Sequence, residues 1–202
     1  MKIKILTFSN KSRTNEFFGL SNSGKTTYLK DLQKKGFKYN SIKDNSFEKI
    51  IPFLKFFFEN LSLSLYLFYT MNTNWITLER LNFKKYIKIF LMRNSYLSAV
   101  FARCYLLRDN NQEIFVDEFF LQSIFMIYQK KANEKELSSI IKKLPKSSKV
   151  FLVEESKKIR YKRMNSKSFP GENIDRKYAI KWMENSEHNY NLSKKILLKN
   201  EL

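Results

Sequence analysis

The chain has 202 residues, room for one medium α/β domain, and its 43% hydrophobic and 16% aromatic content is enough to bury a core, which excludes wholesale disorder. A single cysteine, Cys104, and a single histidine, His188, exclude an intramolecular disulfide and a Cys/His zinc cage, and leave His-dependent catalysis to one residue in a polar stretch. The 38 basic against 19 acidic residues give a formal charge of +19 that attracts phosphate-bearing partners, although a composition rich in Lys, Asn, Ile and Phe spreads it along the whole chain.

Residues 2–8 (KIKILTF) begin by alternating charged and apolar side chains, as a half-buried strand does, and no apolar run of secretory-signal length follows Met1. The polar stretch SNKSRTN predicts a turn, Glu16-Phe17-Phe18 a second short strand ending at Gly19, and Thr26–Lys35 a helix stopped by Gly36. Residues 37–42 read as a weak strand. From about Phe47 to Leu107 the chain is aromatic and helix-like. Lys55, Glu59 and Asn60 interrupt its most apolar part, residues 50–71, so within that stretch no uncharged run reaches the ~18 residues of a spanning helix. LSLSLYLFYT (61–70) also carries a period of two, which leaves a strand open there.

Asn72-Thr73-Asn74 predicts a break before a helical stretch beginning near Trp75. Glu113–Val116 is a short apolar strand that ends in two carboxylates, Asp117 and Glu118. A helix-like segment at 134–144 closes at Pro145, and a strand at 149–153 again ends in acids, Glu154 and Glu155. The segment 156–165 is basic and helical, Ser168-Phe169-Pro170-Gly171 is a loop, and 173–199 forms one or two amphipathic helices. No repeat or linker divides the chain, which reads as one cytoplasmic domain.

Gly19-Leu20-Ser21-Asn22-Ser23-Gly24-Lys25-Thr26 fits G-x-x-x-x-G-K-[ST], the Walker A phosphate-binding loop (P-loop). Such a loop wraps backbone N–H groups around phosphate oxygens, needs glycine where the chain is tight, and gains partial positive charge from the helix it opens. Lys25 would reach the β- and γ-phosphates, and the Thr26 hydroxyl would ligate Mg²⁺. A strand-like segment precedes the motif and a helix-like one follows it, and two of the four glycines lie inside it. The bland alternative is a Gly/Ser loop that only caps a helix.

Asp117 ends an apolar strand, the place of a carboxylate at the carboxyl edge of a parallel sheet beside the phosphate loop. It would hold Mg²⁺ or take a proton from an attacking hydroxyl, with Glu118 as the alternative for either role. A strand-to-helix turn favours acids for purely electrostatic reasons as well. Arg160, Arg163 and Lys167 follow at helical spacings, so one helix face presents several cations that could close over a triphosphate, or simply face solvent.

These segments resemble the thymidylate-kinase-like P-loop kinases, especially the small ones associated with bacterial surface-polysaccharide gene clusters. Glu16-Phe-Phe-Gly-Leu-Ser-Asn-Ser-Gly-Lys-Thr-Thr is similar to their opening, Val116-Asp117-Glu118-Phe119-Phe120-Leu121-Gln122 to their acidic strand end, and Lys162-Arg163-Met164-Asn165-Ser166-Lys167 to their lid. The anchors span about residues 14–170. The resemblance implies a three-layer P-loop NTPase fold with a mostly parallel central sheet, a helical acceptor side over about 47–107 and a lid over about 156–171. It also implies ATP and Mg²⁺ as cofactors, and phosphoryl transfer to a small acceptor such as a nucleotide, nucleoside or sugar.

By the same resemblance, Lys25, Asp117, Glu118 and Arg163 are the catalytic candidates. Gly19, Ser21, Asn22, Ser23, Gly24, Thr26, Thr27 and Lys167 join Lys25 in holding the nucleotide, and Thr26 and Asp117 hold the metal. Arg93, Arg103 and Gln122 are candidates to face the acceptor. Asn22 stands where relatives carry a glycine, Phe119 replaces a glycine after the acids, and Lys167 replaces an arginine and loses bidentate phosphate geometry. No apolar strand follows the last helix to complete the sheet.

No N-K-x-D or D-x-x-G motif supports a GTPase, and no Ser-Gly-Gly signature supports an ABC-type ATPase. The competing reading is a nucleotide-binding protein without turnover, or a basic protein that engages nucleic acid or an anionic membrane surface through its excess Lys and Arg.

Overall fold

The central strand of the sheet, β2 (Thr14–Gly19), is buried along its whole length and leads directly into the glycine-rich loop. The structure, a computed structural model, describes residues 1–8, 13–40, 49–75, 83–108, 112–165 and 176–199. Among these the order of elements is β1 (Lys2–Thr7), β2, α1 (Lys25–Lys34), β3 (Lys38–Asn40), α2 (Ile50–Glu59), α3 (Leu61–Thr73) and α4 (Phe83–Leu107). There follow β4 (Ile114–Val116), α5 (Phe120–Ile127), α6 (Glu134–Lys143), β5 (Lys149–Glu154), α7 (Lys157–Asn165) and α8 (Arg176–Lys199).

The fold is mixed α/β, with one five-stranded sheet in the order β1-β5-β2-β4-β3. β2 runs parallel to β4 and to β5, and β3 runs parallel to β4. β1 departs from the parallel arrangement that the resemblance implies: it pairs antiparallel with β5, Lys2 opposite Glu154 and Thr7 opposite Lys149. No strand follows α8 among the described residues, and the sheet edge beyond β5 is filled by this first strand.

Alternation along β2 sorts the core onto two faces. Phe17 stacks on Phe151 at 4.6 Å and meets Tyr28 of α1 at 5.7 Å. Phe18, pointing the other way, stacks on Phe125 of α5 at 5.3 Å and meets Tyr190 of α8 at 5.2 Å. Both phenylalanines are fully buried, each contributing on the order of 1.5–3 kcal/mol. The α1 face carries a small cluster with Leu29 and Phe115, while the other carries the main core, including Leu97, Phe101, Phe120 and Leu137.

Helix boundaries follow local chemistry. Gly36, at φ +87°, stops α1, where its N–H and that of Phe37 return to the carbonyls of Gln33 and Leu32. Residues 61–70 are helical, not a strand: the buried positions Ser64, Leu67, Thr70 and Met71 fall three to four apart. Asn60 breaks α2 from α3, and their axes bend by 105°. A capping box joins Asn133 and Glu136 at the start of α6. Of the stretch expected to form one or two helices, Arg176–Lys199 is one continuous helix. The loop expected at 168–171 lies outside the described residues. Trp75, where a helix start is expected, follows α3 in non-helical backbone; 76–82 lie outside the described residues, and α4 is described from Phe83. No single described helix is long and apolar enough to cross a membrane.

Candidate functional site

Gly19 closes β2 against β5 so tightly that a Cβ there would meet the Val153 carbonyl oxygen at 2.5 Å. Beyond it the loop uses two left-handed residues, Asn22 at φ 62° and Gly24 at φ 96°. Asn tolerates that region better than most residues, so Asn22 keeps a conformation that glycine would also supply. Left-handed residues set among right-handed ones turn successive N–H groups to one concave side, the arrangement that receives anions. α1 starts immediately afterwards and aims its positive end at the same place.

Lys25 is buried beneath this loop, its Nζ donating to the carbonyls of Gly19 at 2.6 Å and Leu20 at 3.0 Å. Burial pulls its amine down to about 8, assisted by Arg160 and opposed by the Asp117 and Glu118 carboxylates. Ser23 Oγ is buried and makes no hydrogen bond. Ser21 is partly buried, and Thr27 is exposed on the first turn of α1.

The acid turn arrives through sheet pairing. Glu16 of β2 stands opposite Val116 of β4, which places the next residue, Asp117, beside the start of α1. The Thr26 hydroxyl donates to Asp117 Oδ2 at 3.3 Å, and Asp117 is buried. Arg103 of α4 reaches this turn and donates to the Glu118 carbonyl at 2.9 Å. Gln122 accepts the Gly19 N–H at 3.3 Å, tying α5 to the root of the loop. Phe119 is buried with its ring edge-on to Phe120.

Arg163 of α7 lies over the loop, donating to the Asn22 carbonyl at 3.0 Å and to Glu155 at 3.3 Å. Arg160, one turn earlier, is buried and bonded to Glu187 of α8 at 3.1 Å, while its Nε has no partner. Both orphaned donors, Ser23 Oγ and Arg160 Nε, belong to residues lining a cavity of about 410 Å³ between the loop, the end of β5 and α8, with Leu20 and Tyr190 among its walls. Lys167 lies outside the described residues.

Arg93 is not brought to this cluster. Fully buried, it donates to the carbonyls of Met71, Met126 and Ile127, at the C-terminal ends of α3 and α5, and lies 5.0 Å from the Trp75 ring. α5 begins at the acid turn, so these carbonyls stand at its opposite end.

Two residues escaped the sequence reading. Glu16, with no solvent exposure, accepts the N–H groups of Leu121 at 2.6 Å and Gln122 at 3.1 Å and the Ser147 hydroxyl at 3.2 Å. It caps α5 from the neighbouring strand, and burial raises its carboxyl to about 8 against the pull of those bonds. Tyr96 of α4 is the other. Burial, then Glu118, Glu16 and Asp117, push its phenol well above the ordinary value, against Arg103. Glu16 sits between Asn15 and Phe17 in β2, where a carboxylate carries no local sign of its partner.

The donor set suits Mg²⁺, a hard ion that keeps most of its waters and takes one or two protein oxygens, here the Thr26 hydroxyl and the Asp117 carboxylate. No group of three or more His, Cys, Asp or Glu gathers into an all-protein metal cage among the described residues. Comparison with protein-family models, curated proteins and solved structures returned no match.

Proposed function

We propose that the chain is a P-loop small-molecule kinase of the thymidylate-kinase-like kind, which transfers a phosphoryl group from ATP to a small acceptor with Mg²⁺. The observation that carries this reading is the meeting of Thr26 and Asp117 at the mouth of a loop whose two left-handed residues and following helix favour an anion. The three-layer arrangement of α1, sheet and remaining helices supports it, as does the placement of Arg163 over the loop.

In this reading the loop amides from Ser21 to Thr26 bind the phosphates, and Lys25 exchanges its carbonyl partners for phosphate oxygens. Thr26 and Asp117 would hold Mg²⁺, which when bound would supply positive charge to the phosphates. Asp117 or Glu118 takes the acceptor's hydroxyl proton on a carboxylate oxygen, and Arg163 stabilises charge on the transferred group. Arg103 and Tyr96 shape the acceptor side of the acid turn. The catalytic power asked of the site is positioning and electrostatics, which is what phosphoryl transfer needs.

The test is transfer of the γ-phosphoryl group of ATP to a panel of nucleosides, nucleotides and sugars, with and without Mg²⁺. A phosphorylated product that appears only with Mg²⁺ supports the kinase. Nucleotide binding without any product across the panel replaces it with a binding protein that does not turn over.

A further inference from the structure

Among the described residues, twelve of the seventeen large apolar side chains exposed to solvent lie on α2, α3 and α4. They fall in rows. Ile51, Leu54 and Phe58 follow one another at helical spacing on α2, Leu61, Leu65 and Tyr69 on α3, and Phe83, Ile87 and Leu91 on α4. Phe58, Tyr69 and Phe83 are 68%, 71% and 79% exposed. The inner sides of the same helices carry Phe56, Leu67, Leu97 and Phe101 into the main core. These helices are thus apolar on both faces, and among the described residues the outer rows are exposed while the inner ones pack into the core. Single exposed apolar residues need no explanation, whereas rows on adjoining helices mark a surface meant to be covered.

The charges on this surface select what covers it. Lys55 stands beside Leu54 in the α2 row, and Lys84 and Lys88 flank Phe83 and Ile87 in the α4 row, all three exposed. The three helices carry one acid, Glu59, which is ion-paired with Arg108. Two copies meeting through this face would set lysines against lysines, with Glu59, already paired with Arg108, as the one acid of the three helices. Anionic headgroups would answer them while the apolar rows enter the acyl boundary.

We propose that the outer face of α2, α3 and α4 docks onto an anionic lipid bilayer and lies in its interface without crossing it. The 105° bend at Asn60 and the charges of Lys55 and Glu59 prevent α2 and α3 from forming one straight span. The aromatic residues Phe58, Tyr69 and Phe83 suit the depth of the headgroup region. The docking is independent of the nucleotide site.

The test is co-sedimentation of the full chain with vesicles of phosphatidylcholine alone and of phosphatidylcholine mixed with phosphatidylglycerol. The expected result is binding to the mixed vesicles only, weakening as salt is raised. The variant Phe58→Ser/Leu65→Ser/Tyr69→Ser should bind at least about tenfold more weakly, with its thermal transition retained. Lys55→Gln/Lys84→Gln/Lys88→Gln should lose the preference for phosphatidylglycerol. Absence of wild-type binding to the mixed vesicles overturns the proposal without recourse to any variant, as does equal binding by a folded serine variant. A lipid-free dimer that the serine substitutions convert to monomer also overturns it, because a second copy then covers the face.

Discussion

Thr26 and Asp117, 91 positions apart in the chain, meet with the threonine hydroxyl 3.3 Å from the aspartate Oδ2. Parallel pairing of β2 with β4 makes the meeting possible, since both strands deliver their following turns to the same sheet edge. The hydroxyl comes from the first turn of α1 and the carboxylate from the turn before α5.

Asp117→Asn should leave the fold intact, because the amide oxygen can still accept from Thr26. On the proposed function, phosphoryl transfer should fall by at least about a hundredfold, since the charge that would hold Mg²⁺ is gone. Steady-state rates and a thermal melt on the same sample check this. Comparable losses in activity and stability would make the carboxylate structural.

Glu16 gives a pH dependence of defined sign. Its carboxyl is raised from 4.5 to about 8, so between those values the folded chain keeps a proton that the unfolded chain has released. The stability this proton contributes is fully present below the lower value and is lost as pH rises through the upper one. Glu16→Gln is permanently neutral and can still accept from Leu121 and Gln122. Thermal melts from about pH 5 to about pH 9 should show the wild type losing stability relative to this variant. The contribution of Lys25, lowered to about 8, is common to both chains and cancels. Parallel curves would contradict the assignment.

Gly19→Ala should destabilise by about 1–3 kcal/mol, because the new methyl group meets backbone, the Val153 carbonyl, at 2.5 Å. β5 must move or β2 must shift, and either opens the loop's root. Denaturant unfolding measures the loss, and an unchanged midpoint would mean the strands separate freely there.

Arg93→Met separates structure from function. It removes the donors to Met71, Met126 and Ile127 and should cost about 2–4 kcal/mol. Affinity for an ATP analogue, measured calorimetrically well below the melting range, should not change. A selective loss of that affinity would return Arg93 to the site.

The glycine-rich loop, the helix after it, both acid-ending strands and the basic helix over the loop were legible in the sequence. Each rests on local pattern: a fixed motif at Gly19–Thr26, apolar runs at Ile114–Val116 and Lys149–Val153, and helical spacing of cations at Arg160 and Arg163. What escaped depends on distant pairing. Nothing in KIKILTF says that the strand will lie antiparallel beside β5 and fill its edge. Nothing around Glu16 announces the amides of Leu121 and Gln122, 105 and 106 positions away. Arg93 and Arg103 looked alike on one helix, yet one ties helix ends together and the other reaches the acid turn. The period of two in 61–70 misleads because Ser and Leu alternate there, while burial follows the helical spacing.

The most direct measurement of the central claim is thermal stability with and without Mg²⁺ and a non-hydrolysable ATP analogue, for the wild type and Lys25→Ala. Ligand at a hundredfold its dissociation constant should stabilise the native state by about 2.7 kcal/mol. The account predicts a clear Mg²⁺-dependent rise in the wild-type transition that vanishes in the variant. No rise at millimolar ligand, or an equal rise in both chains, would contradict a working phosphate loop at Gly19–Thr26.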